Sequence, residues 1–264
     1  MKPKELTICG LPAVRARFAR DAGSIRRLYF DYATGRKIGV MCKALAAAKK
    51  IYRCVEPAEL EKIAGSIHHG GIVAVVDAPE LRAPVETDVR AWAARREPLL
   101  LLDRIGNAHN LGAIARTAAF FGVRALVLPE HPSAAVPNDA AYRVAEGGLE
   151  HLGIFRVKNL AGFCRELAAA GYDVVGAAAR GGRPEAGGGG EKPLALVLGN
   201  EEHGLAPEVA AACARLVTIP GGAVESLNVS AAAAVLMWEL FARHSAPVRN
   251  QRAAPAALPF RGNK

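Results

Sequence analysis

The chain has 264 residues, enough for one or two domains with a sizeable buried core, and 51% of them are hydrophobic and 22% charged. This composition excludes a chain that is disordered throughout. No uncharged stretch reaches the roughly 20 residues that span a bilayer; residues 226–238, for example, form an uncharged run of 13. The amino terminus has no apolar block typical of a secretory signal, so we expect a cytoplasmic protein with no membrane partner.

The cysteines contain no CxxC pair and are odd in number, which argues against a disulfide framework and against a zinc site. They are Cys9, Cys42, Cys54, Cys164 and Cys213. We expect buried free thiols and no metal cofactor.

The positive charge is concentrated at the two ends. Residues 1–62 hold 14 Lys and Arg against 6 Asp and Glu, and residues 246–264 hold 4 against 0, whereas residues 96–245 hold 13 against 15. A basic module beside a near-neutral one indicates that one part attracts a polyanion, although charge alone fits a solvated basic surface equally well. We divide the chain into a basic module (1–77), a linker (78–95) with room for a helical turn around Trp92, a second domain (96–245) and a basic tail (246–264) that we expect to be disordered.

The first module is typical of a mixed α/β unit. Its patterns predict helices over residues 11–20, 35–49 and from 57 onward, and strands over 26–30, 51–54 and 72–76. Arginines on and after the first helix could follow the phosphates of a nucleic acid, although an exposed helix face has the same pattern. These candidates are Arg15, Arg17, Arg20, Arg26 and Arg27.

The second domain alternates strands and helices. Predicted strands are 99–103, 125–128, 154–157, 173–177, 194–199 and 215–219, and predicted helices are 111–121, 139–145, 160–170, 207–213 and 228–243. Short apolar strands between amphipathic helices predict a parallel sheet with helices on both faces, whose ligands lie beyond the carboxyl ends of the strands. The glycine-rich stretch 181–192, predicted as a surface loop, lacks a phosphate-loop ending, and no GxGxxG follows a strand, which argues against the common nucleotide folds.

Polar clusters follow three of these strands. The first strand of this domain is followed by NAHNLGAIART, with Asn110 as a candidate helix cap and Arg116 on an otherwise apolar helix face. The fifth strand runs into the glycine-bounded turn LGNEEHGL. The sixth strand runs into IPGGAVESLNVS, which leads to an alanine-rich helix. Caps and turns explain each cluster alone, but three of them at strand ends predict a functional site.

The trio NLGAIARTA, LVLGNEEHGL and IPGGAVESLNVSAAAAVL resembles motifs 1, 2 and 3 of the SpoU/TrmH branch of the SPOUT RNA methyltransferases, over about residues 97–244. The basic module resembles the small ribosomal-protein-like substrate-binding domain that many members carry, with HHGGIVAVV as its closing strand. The chain departs from the family pattern in one place. Its third motif is one residue shorter than usual, at Gly221 and Gly222, and we expect this shorter turn to change the shape of one wall of the cofactor pocket.

The resemblance implies an α/β fold in which a parallel sheet with helices on both faces ends in a C-terminal trefoil knot, preceded by a small α/β/α domain. It implies transfer of a methyl group from S-adenosylmethionine to a ribose 2′-hydroxyl of rRNA or tRNA. The implied catalytic residues are Asn110, Arg116, Glu201, Ser226 and Asn228, and the implied cofactor-binding residues are Leu198, Gly199, Asn200, Ile219, Pro220 and Leu227. It also implies a homodimer with the last helix in the interface and an active site that draws on both subunits.

Chemistry suggests a role for each implied catalytic residue. Arg116, whose guanidinium does not lose its proton near neutral pH, suits a clamp on phosphate and oxyanion better than a general base. Ser226 and Asn228 would orient the hydroxyl, Asn110 would position Arg116 or the ribose, and Glu201 would pair with Arg116 or accept a proton through water. Two alternatives remain open: a catalytically silent knotted RNA-binding protein, which the shortened turn favours, and a knotted methyltransferase of a base nitrogen.

Overall fold

The computed structural model describes residues 4–183 and 192–242. Within them lie two sheets, one of four strands near the amino terminus and one of six strands. The predicted basic tail, residues 243–245 and most of the predicted glycine-rich loop lie outside the described residues.

The four-stranded sheet has the order β1-β4-β2-β3, with β4 antiparallel to both neighbours and β2 parallel to β3. Its strands are β1 (Glu5–Cys9), β2 (Ile25–Phe30), β3 (Ile51–Cys54) and β4 (Ile72–Asp77). Its helices are α1 (Leu11–Asp21), α2 (Tyr32–Gly35), α3 (Gly39–Ala47) and α4 (Pro57–Ala64). The mixed α/β character predicted for this module is confirmed.

Two local predictions for this module were wrong. Strand β1 was not predicted, because its five residues carry a weak signal before the helix. The predicted helix over 35–49 begins earlier and is broken into α2 and α3, since Ile38 has a non-helical backbone and the break lies between Gly35 and Gly39. The side chain of Asp31 caps α2 by accepting a hydrogen bond from the Thr34 amide at 2.7 Å.

The predicted linker contains a helix, α5 (Glu86–Ala94), rather than a single turn. Its buried residues are Val89 and Trp92, and the Trp92 ring packs edge-on against Phe155 at 5.0 Å between centroids. Residues 86–94 therefore cover the large sheet and do not act as a loose linker.

The large sheet is parallel throughout, with the order β10-β8-β9-β5-β6-β7. Its strands are β5 (Leu99–Leu102), β6 (Ala125–Pro129), β7 (Gly153–Val157), β8 (Asp173–Ala177), β9 (Leu194–Leu198) and β10 (Arg215–Val217). Its helices are α6 (Ala108–Phe120), α7 (Asp139–Ala145), α8 (Leu160–Ala169), α9 (Pro207–Ala210) and α10 (Val229–Met237), which runs on as a π-helical turn, Trp238–Ala242. All six strands were predicted.

Alternate residues of each strand enter two cores. In β5, Leu100 and Leu102 join the core under α6, α7 and α10, whereas Leu99 and Leu101 join the core under α5, α8 and α9. The predicted parallel sheet with helices on both faces is therefore confirmed.

The two sheets are joined through a shared core. Helix α1 and strand β1 pack against α7 and the 3₁₀ turn Gly148–His151. At the centre of this contact, Arg17 Nε donates to Glu150 Oε1 at 2.9 Å, with both side chains buried, and Arg17 Nη2 donates to the Tyr142 hydroxyl at 3.1 Å. This buried network fixes the basic module against the large sheet.

The described residues add three observations on membrane, metal and thiol chemistry. None of their helices is both long and apolar enough to cross a membrane, and they contain no cluster of His, Cys, Asp and Glu placed to hold a metal. All five cysteines are free thiols, but the prediction that all are buried was wrong, because Cys54 is exposed on β3. Burial raises the pKa of Cys9 to about 11 and that of Cys164 to about 12.

Candidate active site

Three loops meet beyond the carboxyl ends of β5, β9 and β10. The first leads from β5 into α6, the second follows β9, and the third leads from β10 into α10. They carry the three polar clusters noted in the sequence, and the parallel sheet brings them together because its strands end at the same edge.

Glu201 links the first two loops. Its carboxylate accepts hydrogen bonds from the amides of Gly106 (3.1 Å) and Asn107 (3.3 Å) and from Asn110 Nδ2 (2.9 Å). Burial raises the pKa of the Glu201 carboxyl, but the hydrogen bonds from Asn110 and the backbone outweigh burial and leave the pKa below its usual range. Glu201 is thus an ionised acceptor whose oxygens are largely occupied, which does not suit a general base.

Asn110 extends this network to the third loop. Asn228 Nδ2 donates to Asn110 Oδ1 at 3.2 Å, while Asn228 Oδ1 caps α10 by accepting from the amide and hydroxyl of Ser230. The cap of α6 is Asn107 rather than Asn110, which corrects the sequence interpretation. The Asn110 side chain is thereby free to connect Glu201 with Asn228.

The turn after β9 is held by backbone and Asn200. The amides and carbonyls of Asn200 and Gly204 bond each other at 2.9 Å, and Asn200 Nδ2 donates to the Arg104 carbonyl at 2.8 Å. A Cβ on Gly199 would lie 2.3 Å from the carbonyl carbon of Gly204, so only glycine fits at this approach.

Asp103 is a residue that sequence analysis missed. It is buried, and its Oδ2 accepts a hydrogen bond from the Ala206 amide at 2.6 Å while its carboxylate pairs with Arg104. A charged residue at the end of an all-leucine strand is the signal that could have found it, because buried carboxylates need partners.

A cavity of about 700 Å³ opens between the second and third loops. All six predicted cofactor-binding residues line it: Leu198, Gly199, Asn200, Ile219, Pro220 and Leu227. Glu201 and Ser226 lie on its wall, as do residues 177–180 at the carboxyl end of β8 and directly after it, which the sequence did not indicate. Its size is that of a small-molecule site, and its walls combine apolar residues such as Leu198 with polar ones such as Asn200.

Arg116 stands apart from this cavity. Its Nη1 pairs with Glu146 Oε1 at 2.9 Å, and both side chains are more than half exposed. Arg116 therefore does not pair with Glu201 of the same chain, which was one of the two roles expected for Glu201; the first loop engages that carboxylate instead. Asn110, Arg116 and Asn228 are not among the described residues that line the cavity.

Two family models match the chain. The model described as the SpoU rRNA Methylase family matches residues 97–238, and the model described as RNA 2′-O ribose methyltransferase substrate binding matches residues 7–82. The chain belongs to the SpoU rRNA methylase family. The resemblance found in the sequence is therefore confirmed.

Curated and solved relatives resemble this SpoU family chain over most of its length. It is 34% identical to the 23S rRNA (guanosine-2′-O-)-methyltransferase RlmB of Nitrosomonas europaea, over 90% of this chain and 92% of that one. It is 35% identical to the RlmB of Ralstonia nicotianae, over 92% and 97%. The structure of the SpoU methyltransferase AviRb from Streptomyces viridochromogenes, solved in complex with the cofactor AdoMet, is 25% identical, covers 90% of this chain and 89% of that one, and superposes with a TM-score of 0.66.

The arginines proposed as RNA contacts of this SpoU family chain mostly have protein partners. Arg17 is buried against Glu150, so its assignment to RNA is wrong. Arg20 donates to the carbonyls of Leu149, Glu150 and Leu152, and Arg26 and Arg27 pair with Asp77 and Glu5. Arg15 is exposed and donates to the Lys37 carbonyl at 3.3 Å. Helix α1 is therefore chiefly a docking helix between the two sheets.

Proposed function

We propose that this chain transfers a methyl group from S-adenosylmethionine to a ribose 2′-hydroxyl of rRNA or tRNA. The observation that carries the proposal is the cavity bounded by motifs 2 and 3, next to the Glu201–Asn110–Asn228 network. The two curated relatives named above are 23S rRNA 2′-O-methyltransferases. Because 23S rRNA is a cytoplasmic molecule in bacteria, we place the activity in the cytoplasm.

The cavity fits the cofactor. Leu198, Ile219 and Leu227 offer apolar walls, and Gly199 brings backbone groups of the turn close to the cavity. AviRb holds AdoMet on the same fold. The shortened third motif still leaves about 700 Å³, within the roughly 300–1,000 Å³ of ordinary ligand sites. The catalytically silent alternative loses its one supporting feature, since the turn does not close the cavity.

We propose that the chain end forms a trefoil knot around this cavity. The segment after β8 bonds the segment after β10, with the Gly182 amide donating to Thr218 Oγ1 at 3.0 Å. Helix α10 then returns to pack on α6 and β9. These contacts support the knot that the family resemblance implies.

The reaction would join the ribose oxygen to the methyl carbon as the bond from that carbon to the cofactor sulfur breaks, and the hydroxyl proton would leave to water. Bound S-adenosylmethionine supplies a sulfonium methyl group that is already electrophilic. Ser226 on the cavity wall and Asn228 at the start of α10 would hold the ribose hydroxyl in line. The guanidinium of Arg116 would stabilise the developing alkoxide and a neighbouring phosphate.

We propose that Arg116 reaches the cavity of a second copy of the chain. Arg116 does not line the cavity of its own chain, and α6 and α10 expose a patch formed by Phe120, Val235 and Trp238. Within this patch, the ring of Phe121 contacts the ring of Trp238, with 6.3 Å between the ring centroids. An exposed apolar patch on two adjacent helices suits a two-fold interface, and pairing there would make each active site from two chains.

The cofactor site is tested by titration calorimetry with S-adenosylmethionine. We expect micromolar binding to the parent and none detectable for Leu227→Arg, which places a charged side chain on the apolar wall. Ile67→Arg is the matched control, because Ile67 is exposed on the basic module and distant from the cavity lining. No binding by a folded parent would contradict the proposal, as would equal binding by both variants.

A further inference from the structure

The free positive charge of the basic module lies on a different face from the one that the sequence suggested. Residues 32–55 carry six basic residues and no carboxylate: Arg36, Lys37, Lys43, Lys49, Lys50 and Arg53. Lys50 donates to the Ala22 and Gly23 carbonyls. The other five side chains have neither an ion pair nor a hydrogen bond to any described residue. They contrast with Arg17, Arg26 and Arg27, which are all neutralised by carboxylates.

These free cations share one edge of the four-stranded sheet. Strand β3 is the edge strand farthest from β1, which contacts the large sheet through α7, and α3 packs beside β3. Cys54 is level with Phe30 of β2, so Tyr32 begins α2 close to that end of β3. We call the surface of α2, α3 and β3 the basic face. It includes β3, which is at the opposite edge of the four-stranded sheet from β1.

Aromatic side chains are interleaved with the cations of the basic face. Tyr32 is 77% exposed and Tyr52 is 39% exposed. Exposed tyrosines supply stacking platforms for unpaired bases, and Lys and Arg supply phosphate contacts. A second copy of the chain would be repelled by a surface on which Arg36, Lys37 and Lys43 have no ion pair with any described residue. Building on the proposed function, we infer that the RNA substrate docks on the basic face, with unpaired bases on Tyr32 and phosphates along Arg36, Lys37 and Lys43.

The inference is tested with two double variants that remove the same number of positive charges. Arg36→Gln with Lys43→Gln removes two of the free cations of the basic face, and Arg26→Gln with Arg27→Gln removes two arginines that carboxylates already neutralise. Filter binding of the full chain to in vitro transcribed 23S rRNA is measured over a salt series without cofactor. We expect the first pair to weaken binding about tenfold or more and to reduce the slope of log K against log salt by about 1.4, and the second to change binding less than twofold. An equal or larger loss in the second pair overturns the inference.

Two further readouts separate docking from general electrostatics. Tyr32→Ala keeps the charge, and we expect it to weaken binding roughly tenfold through lost stacking. Cys54 is the exposed thiol on β3, and we expect the rRNA to protect it from alkylation by N-ethylmaleimide. Unchanged affinity in Tyr32→Ala together with unprotected Cys54 overturns the inference and leaves an acidic protein as the occupant to examine. Because binding is measured without cofactor, failure of methyl transfer with normal rRNA binding contradicts the proposed function but leaves the basic face intact.

Discussion

Glu201 shows how much of the candidate site could be predicted from residue types alone. Its position in LGNEEHGL indicated a functional carboxylate, and the structure places it at the centre of the three loops. The partners of Glu201 could not be predicted, because Gly106, Asn107 and Asn110 are more than 90 positions away in sequence. The partner of Arg116 could not be predicted either, because Glu146 lies on a separate segment that follows α7. Motifs identify which residues matter, whereas tertiary contacts decide what each one holds.

Glu201→Gln is expected to disturb the site more than the fold. A glutamine amide would face the amides of the first loop as a donor, so Asn110 and Asn228 lose their anchor. We expect kcat/KM for RNA methylation to fall about 10- to 100-fold, with Glu208→Gln, exposed on α9, as the unchanged control.

The pH dependence of stability checks the same carboxylate. Because the pKa of Glu201 is lowered in the folded chain, its stabilisation is complete above its unfolded pKa of about 4.3 and is lost as pH falls through the lowered value. The free energy of unfolding of the parent minus that of Glu201→Gln should therefore be constant above about pH 5 and shrink below pH 4. A difference that grows in acid would contradict this assignment.

At the scale of elements, the apolar strands were predictable and the weakly amphipathic pieces were not. The four leucines of β5 and the buried run of β4 stand out in any window. Helix α5 was overlooked because it buries mainly Val89 and Trp92, and helix α1 was assigned to RNA because its arginines look exposed from sequence. Helix α1 docks against the turn Gly148–His151. This docking explains why Arg17 is buried and why Arg20 donates hydrogen bonds to backbone carbonyls in and after that turn.

The buried pair of Arg17 and Glu150 is expected to specify the docking of α1 rather than to add much stability. Burial raises the pKa of Glu150 more than Arg17 and Arg20 lower it, and Glu150 Oε2 lacks a hydrogen-bond partner among the described residues. Removing one partner strands a buried charge, so Glu150→Ala should cost about 3 kcal/mol in the free energy of unfolding. The double variant Arg17→Met, Glu150→Leu should recover most of that loss in urea unfolding. If the losses in the free energy of unfolding caused by substituting Arg17 and Glu150 simply added in the double variant, the two charges would not interact.

At the scale of the whole molecule, the alternation of strands and helices predicted a parallel sheet but not its strand order. Neighbouring β5 and β9 are separated by 91 residues of chain, and no local pattern states that they pair. The proposed knot and the proposed dimer likewise rest on the family resemblance and, for the dimer, on exposed residues such as Phe120 and Trp238. Topology is set by packing among distant segments, which periodicity does not record.

A shared active site makes a prediction about mixed subunits. Arg116→Ala and Leu227→Arg should each be inactive alone. If each site combines Arg116 of one chain with the cavity of the other, mixing and refolding equal amounts should restore about one quarter of the parental activity, since half of the dimers carry one intact site. No recovery in a mixture shown to contain heterodimers would place Arg116 and its cavity in the same chain.

The methyl group is expected to go to a ribose oxygen rather than to a base nitrogen. The most direct test incubates the chain with in vitro transcribed 23S rRNA and S-adenosylmethionine, digests the RNA to nucleosides and identifies the product by mass spectrometry. We predict one 2′-O-methylated nucleoside, in a linkage resistant to alkali, that is absent with Arg116→Ala. A methyl group on a base nitrogen, or none on rRNA and tRNA alike from a chain that binds the cofactor, would contradict the account.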